Sequence, residues 1–330
     1  MNKLLFLIFL LFLQLSDALG AQEGTKPHGA EVKVIVYDKK KIQGADPRPK
    51  NLIFDMKASL PDPFNDPSKL WRKAKGSPSL LSKAETKLIL DAFPFVTKRT
   101  AVSRTLSVNV KTLGNVVLNK QYPNPWILNC KIDNVQNIDG ERKFVVTSCV
   151  PKTGDGDFDC QMCAPILSVF VIQNVTQPQI KQKLLFFTED GAFGQAPPAF
   201  SLQLSKSIPA LLFTYGEGGQ GYLSAHGYFV ALRDEQLNAL ALNSPLWKDN
   251  EGAIEEENYP AGKCKSEEES CPIRTFAKIY STPAADSASY PDLIIETNGT
   301  WWAQKGKSGP IHSMETFEAV LKAPPTKTDF

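Results

Sequence analysis

A chain of 330 residues, 42% apolar and 10% aromatic, has the composition of an ordinary folded protein and length for one large or two modest domains. That sets aside disordered and fibrous classes. Its net charge of +2 hides a split: residues 22–125 carry 19 Lys/Arg against 9 Asp/Glu, whereas residues 126–330 carry 17 against 25. Such a split points to an anionic partner for the basic part, or to attraction between the two parts of one molecule.

The first residues, "MNKLLFLIFLLFLQLSDALGAQ", place Lys3 before ten apolar residues, Leu4–Leu13. That run is too short to span a hydrocarbon core of about 30 Å. Small residues at Ala18 and Gly20 follow, so residues 1–20 read as a signal peptide. The expectation is a periplasmic or secreted protein without stable membrane insertion once the leader is removed.

Residues 21–95 read as a basic, loop-rich N-terminal region with one strand and one short helix. "EVKVIVYD" alternates and is rich in valine, which predicts the strand. From Lys39 to Lys75 prolines and charges crowd together, predicting loops with little regular structure. Lys39–Lys41 and Arg72–Lys75 are the candidate anionic contact. "SKAETKLILDAF" carries a capping box, Ser82 and Glu85, and predicts a helix over Lys83–Phe93.

Residues 96–330 read as one β-rich domain. Runs such as "TLSVNV", "PWILNCKI", "KFVVTSCV", "ILSVFVIQNV", "QKLLFFTE", "PALLFTY", "GYFVAL" and "DLIIETNGT" alternate with turn-rich pieces. Their density predicts a mainly β fold, a sandwich or propeller-like set of antiparallel sheets. No repeat of fixed length supports the propeller. Asn243–Glu269 holds most of the acidic excess and reads as a solvated loop.

Six cysteines in an exported chain predict disulfides, with fifteen possible pairings. "WILNCKIDNVQNIDGERKFVVTSCV" reads as a hairpin turning at Asp139-Gly140, which sets Cys130 opposite Cys149. A four-residue loop, Ile138–Glu141, gives the parity a bridge prefers. Proximity suggests Cys160–Cys163 and Cys264–Cys271.

Several motifs bear on chemistry. Gly216, Gly218 and Gly221 have the spacing of a dinucleotide loop, but "YLSAHGYFVAL" after them prefers extended structure to the helix such a loop needs. They predict a bend between strands lining a site, with Tyr222 and His226 beside it. Cys160 and Cys163 in "DFDCQMCAPILSVF" allow thiol–disulfide chemistry, yet a strand follows where a redox pair needs a helix. Zinc on Cys160, Cys163, Cys264 and Cys271 is a weaker reading than disulfides. Asp155, Asp157 and Asp159 alternate like a calcium loop without its later ligands, and make an acidic turn or a loose calcium site. No G-x-S-x-G elbow occurs, so His226 or His312 would have to serve any Ser-His or Cys-His arrangement. Trp301 and Trp302 point to opposite faces of a strand, one to the core and one, Trp302, to a partner; Trp126 and Trp247 are further contact candidates. Asn174-Val175-Thr176 and Asn298-Gly299-Thr300 are glycosylation acceptors in a eukaryotic host.

The stretch from Asp159 through Phe170 resembles exported bacterial proteins of unknown role in which D-C-x-x-C precedes an apolar strand. That resemblance implies a bacterial cell-envelope setting and no particular activity. The expected function is a disulfide-stabilised binding or interaction module with a protein or anionic polymer as partner. It calls for no cofactor, no metal and no nucleic acid. The alternatives are an envelope-polymer hydrolase using a carboxylate pair or His226, and a thiol–disulfide oxidoreductase at Cys160/Cys163.

Overall fold

The computed structural model describes residues 34–41, 48–59, 80–94, 96–100, 103–108, 126–151, 164–174, 176–189, 191, 194–219, 222–242, 244–250, 272–283, 289–304 and 307–321. Two antiparallel sheets account for nearly all of them. The smaller follows chain order: β3 (Val96–Arg99), β4 (Ser103–Val108), β5 (Trp126–Asn137), β6 (Arg142–Pro151), β7 (Ile166–Asn174) and β8 (Pro178–Glu189). The larger has ten strands: β1 (Val34–Lys41), β2 (Asn51–Asp55), β9 (Ala199–Ser205), β10 (Ile208–Gly219), β11 (Tyr222–Arg233), β12 (Gln236–Ala241), β13 (Trp247–Asp249), β14 (Ile273–Ser281), β15 (Leu293–Gln304) and β16 (Lys307–Leu321).

The large sheet curls on itself. Its order runs β12-β1-β16-β15-β14-β13-β11, and β11 pairs again with β12, so seven strands close into a barrel-like ring. The β1–β12 seam is parallel, whereas the neighbouring pairs are antiparallel. The ring interior is one core, filled by Ile35, Tyr37, Phe229, Leu240, Trp247, Ile279, Ile295 and Phe317, and the same cluster takes in Leu212 of the adjoining β10. Burying each such large side chain stabilises the fold by roughly 1.5–3 kcal/mol. Trp247, a contact candidate from the sequence, is therefore a core residue.

A second core joins the sheets. Phe144, Val146, Leu167 and Val169 of the small sheet meet Leu211, Phe213, Val230 and Leu232 on the outer face of β10 and β11. The small sheet's other face carries Val145, Cys149, Ile166 and Phe170, and the helix α2 (Lys83–Asp91) covers it with Ile89 and Leu90, followed by Phe93. Strands β6, β7, β10 and β11 are thus buried on both faces, which explains their near-continuous apolar sequence. The architecture is the sandwich alternative, with one of its sheets rolled.

Helix α2 starts as its capping box requires: Glu85 N–H donates to Ser82 Oγ at 3.2 Å and Ser82 N–H to Glu85 Oε2 at 2.6 Å. It ends at Asp91, two residues before the expected Phe93, because Phe93 turns into the core ahead of Pro94. Glu85 is buried and also receives Lys143 Nζ at 2.9 Å and Asn174 Nδ2 at 2.5 Å. Burial raises its pKa; the Lys143, Ser82 and Asn174 hydrogen bonds outweigh that and hold it below the usual range. One carboxylate thereby caps the helix and ties it to β6 and β7.

Two expectations need correction. The described part of the proline-rich region holds regular structure where loops were expected: β1 runs to Lys41, β2 occupies Asn51–Asp55, and a single helical turn, α1, spans Met56–Ser59. β2 is stabilised by pairing with β14, and Phe54 enters the ring core. The β5–β6 hairpin does bring Cys130 opposite Cys149 in a disulfide, with Cα atoms 4.0 Å apart. The strands leave Ile138–Glu141 between them, the expected four residues, but Ile138 N–H donates to Arg142 O at 2.9 Å and Asn137 pairs with Lys143, one residue out of the expected register. A bulge at Asp133 restores the register that the four-residue loop was expected to provide. The bulge also aims Asp133, whose carboxylate accepts from Ala196 N–H at 2.8 Å.

Candidate functional site at one rim of the ring

The glycine-rich stretch folds as a hairpin. Gly216 pairs with Ala225, Gly218 with Leu223 and Gly219 with Tyr222. Strand β11 follows directly, so the helix N-terminus that a pyrophosphate would need is not formed here. Gly221 lies outside the described residues, and Tyr222 is placed by its backbone alone.

His226 sits opposite Tyr215, and their rings stack at 5.7 Å with planes 25° apart. Tyr215 contacts Tyr228 at 6.2 Å, and Tyr228 stacks on Phe213 at 5.0 Å. Phe187 of β8 touches both Phe213 and Tyr228. An aromatic row therefore climbs from the core between the sheets to the half-buried Tyr215–His226 pair. Ser224 Oγ lies 3.4 Å from His226 Nε2 and gives the row a polar end. On the opposite face, Gly227 lets the hairpin close on the core: a Cβ there would stand 2.7 Å from Leu246 Cδ1 and 3.1 Å from Leu212 Cδ1.

The ring carries this hairpin round to the tryptophans. Leu223 pairs with Asp249, Asp249 with Arg274, Arg274 with Thr300 and Thr300 with Pro310. Gly216–Gly219 with Tyr222, and Trp301–Trp302, far apart in sequence, thus share one rim. Trp301 takes the inward role: it packs with Ile273 and Ile311 and covers Gly309, whose Cβ would lie 2.6 Å from the indole. Trp302 follows it in β15, paired with Ser308. Asn250 closes the rim between them, donating N–H to Ile273 O at 3.2 Å and accepting from Ile273 N–H at 2.6 Å.

A second polar cluster lies on the outer wall of β14–β16. Glu296 is contacted by Lys50 Nζ at 3.9 Å and His312 Nε2 at 3.4 Å, and it hydrogen-bonds Tyr280 and Asn298. Burial raises its pKa, but Tyr280 and Asn298 lead the groups that bring it below the ordinary carboxylate range. Burial, with Glu296 beside it, pushes Tyr280 up to about 12. A carboxylate held ionised accepts protons poorly and donates none at neutral pH, so this cluster suits an ion-pair clasp over β2 better than acid–base catalysis. Asp55 likewise faces Lys278 at 3.6 Å.

Three of the basic N-terminal residues are engaged within the molecule. Lys39 pairs with Glu315 at 2.7 Å, Lys40 with Glu318 at 2.7 Å and Arg48 with Asp292 at 2.6 Å. Each of these pairs joins a residue of the basic part to one of the acidic part. Arg72–Lys75, Asp155, Asp157, Asp159, Cys160, Cys163, Cys264 and Cys271 lie outside the described residues. Among the described residues, no group of three or more His, Cys, Asp or Glu is placed to hold a metal ion.

Tyr215, Tyr228 and Phe187 were not anticipated from sequence. A signal existed for two of them: the register that pairs Gly219 with Tyr222 sets Tyr215 opposite His226 and Phe213 opposite Tyr228. Compared with known proteins, the chain matches no family model, no curated protein and no solved structure.

Proposed function

We propose that this chain is an exported, disulfide-stabilised binding module of the bacterial cell envelope, and that the rim bearing the β10–β11 hairpin is its contact surface. The observation that supports the reading is shared position: Gly216, Gly218, Tyr222, His226 and Trp302 come from two distant stretches, and their backbone positions lie along one rim of the ring. The half-buried Tyr215–His226 stack adds rigid aromatic area with a polar edge, the composition favoured at contact centres. A protein partner fits better than an anionic polymer, because Lys39, Lys40 and Arg48 already answer acidic residues of the same chain.

The test is capture from an envelope extract on immobilised chain, comparing the native protein with a Tyr215→Ala/His226→Ala variant and with a Lys206→Ala control. A partner held by the rim is lost about tenfold or more from the double variant and retained by the control. Equal capture by all three ends the assignment of the rim.

A further inference from the structure

Among the described residues, the rim also carries a hydrogen-bonding edge with no strand against it. Strand β9 covers β10 only from Ile208 to Phe213, after which Thr214 N–H donates to Pro198 O at 2.9 Å. Main-chain groups alternate between the two edges of a strand, and the β10–β11 register runs unbroken to Gly219. The residues whose N–H and C=O point the same way as those of Thr214 are therefore Gly216 and Gly218. Among the described residues, no strand pairs with that edge beyond Phe213. Gly216 is exposed, and a Cβ added to it would meet only Ser224 O, at 3.6 Å.

The sequence of the edge says what fits it. Glu217 is the single charge in Thr214–Gly219. Two copies paired antiparallel about Glu217 would oppose like charges, a device that discourages edge-to-edge self-association. A foreign strand with a basic residue opposite Glu217 turns the same charge into an attraction. The glycines leave room for large side chains across from them, as Gly309 does for Trp301 within this fold.

We propose that Gly216 and Gly218 form a docking edge for an extended peptide strand of a partner protein, basic opposite Glu217 and aromatic opposite the two glycines. The partner adds a strand to β10, its main chain supplying affinity and its alternate side chains specificity. This names the partner chemistry of the rim and rests on the binding-module reading.

The probe is acetyl-Thr-Trp-Lys-Trp-Thr-amide, added to the full chain and followed by amide hydrogen exchange at Gly216 and Gly218. Both amides should exchange rapidly in dilute free protein and slow about tenfold with the peptide. The same peptide N-methylated at alternate amides, or with Glu in place of Lys, should leave them fast. Slow exchange in the dilute free chain would show the edge already covered, and slowing with protein concentration alone would make the occupant a second copy. Either result overturns the proposal, as does equal protection by the N-methylated peptide. No peptide effect alongside lost capture by the Tyr215→Ala/His226→Ala variant ends this inference and leaves the function reading standing.

Discussion

Hairpins β5–β6 and β10–β11 are built from the same kind of sequence, an apolar run, a glycine-bearing turn and a second apolar run, yet they end in opposite roles. Along β5–β6 both sides are engaged: β4 lies against Trp126–Lys131, the Ala196–Ser201 segment hydrogen-bonds Asp133, Gln136 and Asn137 beyond it, β7 lies against β6, and Cys130–Cys149 links the two strands. Along β10–β11 the inner half is equally enclosed, but the outer half runs past the end of β9 and carries three glycines on the described part of β10. Whether a hairpin becomes scaffold or contact surface is thus decided by what reaches its edges, which lies elsewhere in the chain.

The largest expected effect tests whether the scaffold role depends on the covalent link. Replacing Cys130 and Cys149 together with alanine frees a loop of 19 residues' separation. It should lower stability by about 3 kcal/mol from unfolded-chain entropy, read as a lower urea midpoint without reductant. The native protein under reductant should unfold near the same midpoint. Coincidence of reduced and oxidised native curves would mean that packing alone separates the two hairpins.

Next comes the tie that holds helix α2 over the scaffold. Glu85→Ala removes the helix cap and the acceptor of Lys143 and Asn174, and should lower stability by about 2 kcal/mol. Its acid behaviour has a definite sign. The Glu85 and Asp91 pKa values are both depressed in the folded protein, Asp91 from 3.8 to about 2 by Lys87 first and Arg104 second. Their contribution is complete above the unfolded carboxylate range and is lost as pH falls through the folded values. Urea midpoints should therefore hold near neutral pH and fall from about pH 4 toward pH 2. Glu85→Gln should lessen that fall while leaving the Asp91 part.

How much of this was legible in the sequence follows the range of the forces involved. The capping box, the Cys130–Cys149 pairing and the extended nature of "YLSAHGYFVAL" are local, set by residues within one turn or one hairpin, and each could be read directly. Strand β16 could not, although it is the longest in the fold. Its inward face alternates Ile311, Ser313, Glu315 and Phe317, and Pro310 interrupts its start, so the apolar period of a strand is broken. Glu315 is tolerated on that face because Lys39 and Ser244 Oγ reach it at 2.7 Å each, from 276 and 71 residues away. β2 was hidden for the same reason, being held by β14 against the bias of the prolines around it. The rim is intermediate: its glycines and His226 stood out, while Tyr215 became visible only once the register was known.

The next effect probes the enclosed half of the second hairpin. Gly227→Ala forces a methyl to within 2.7 Å of Leu246 Cδ1 and 3.1 Å of Phe213 O, and the backbone atom cannot yield. It should lower stability by about 1.5 kcal/mol through overpacking. Gly216→Ala, at the open half, should change it by only a few tenths, about 0.3 kcal/mol. Equal losses at the two glycines would erase the distinction between the enclosed and open halves.

The smallest effect is a gain, at the other end of β11. Arg233 pairs with Gln236, leaving a two-residue turn in which Asp234 and Glu235 both take positive φ, 49° and 58°. That is the type I′ geometry, which Asn-Gly adopts with least strain, whereas glutamate has no side-chain stabilisation of a left-handed backbone. Arg233 Nε donates to Asp234 at 3.1 Å, but Asp234 is largely exposed and the pair contributes little. Asp234→Asn with Glu235→Gly should therefore raise stability by about 0.5 kcal/mol, relief of strain slightly exceeding the added flexibility of the unfolded chain. The gain should appear in the urea midpoint and leave exchange at Gly216 unchanged, because the two ends of β11 are joined through the enclosed half. Faster exchange at Gly216 would show instead that strain at this turn reaches the rim.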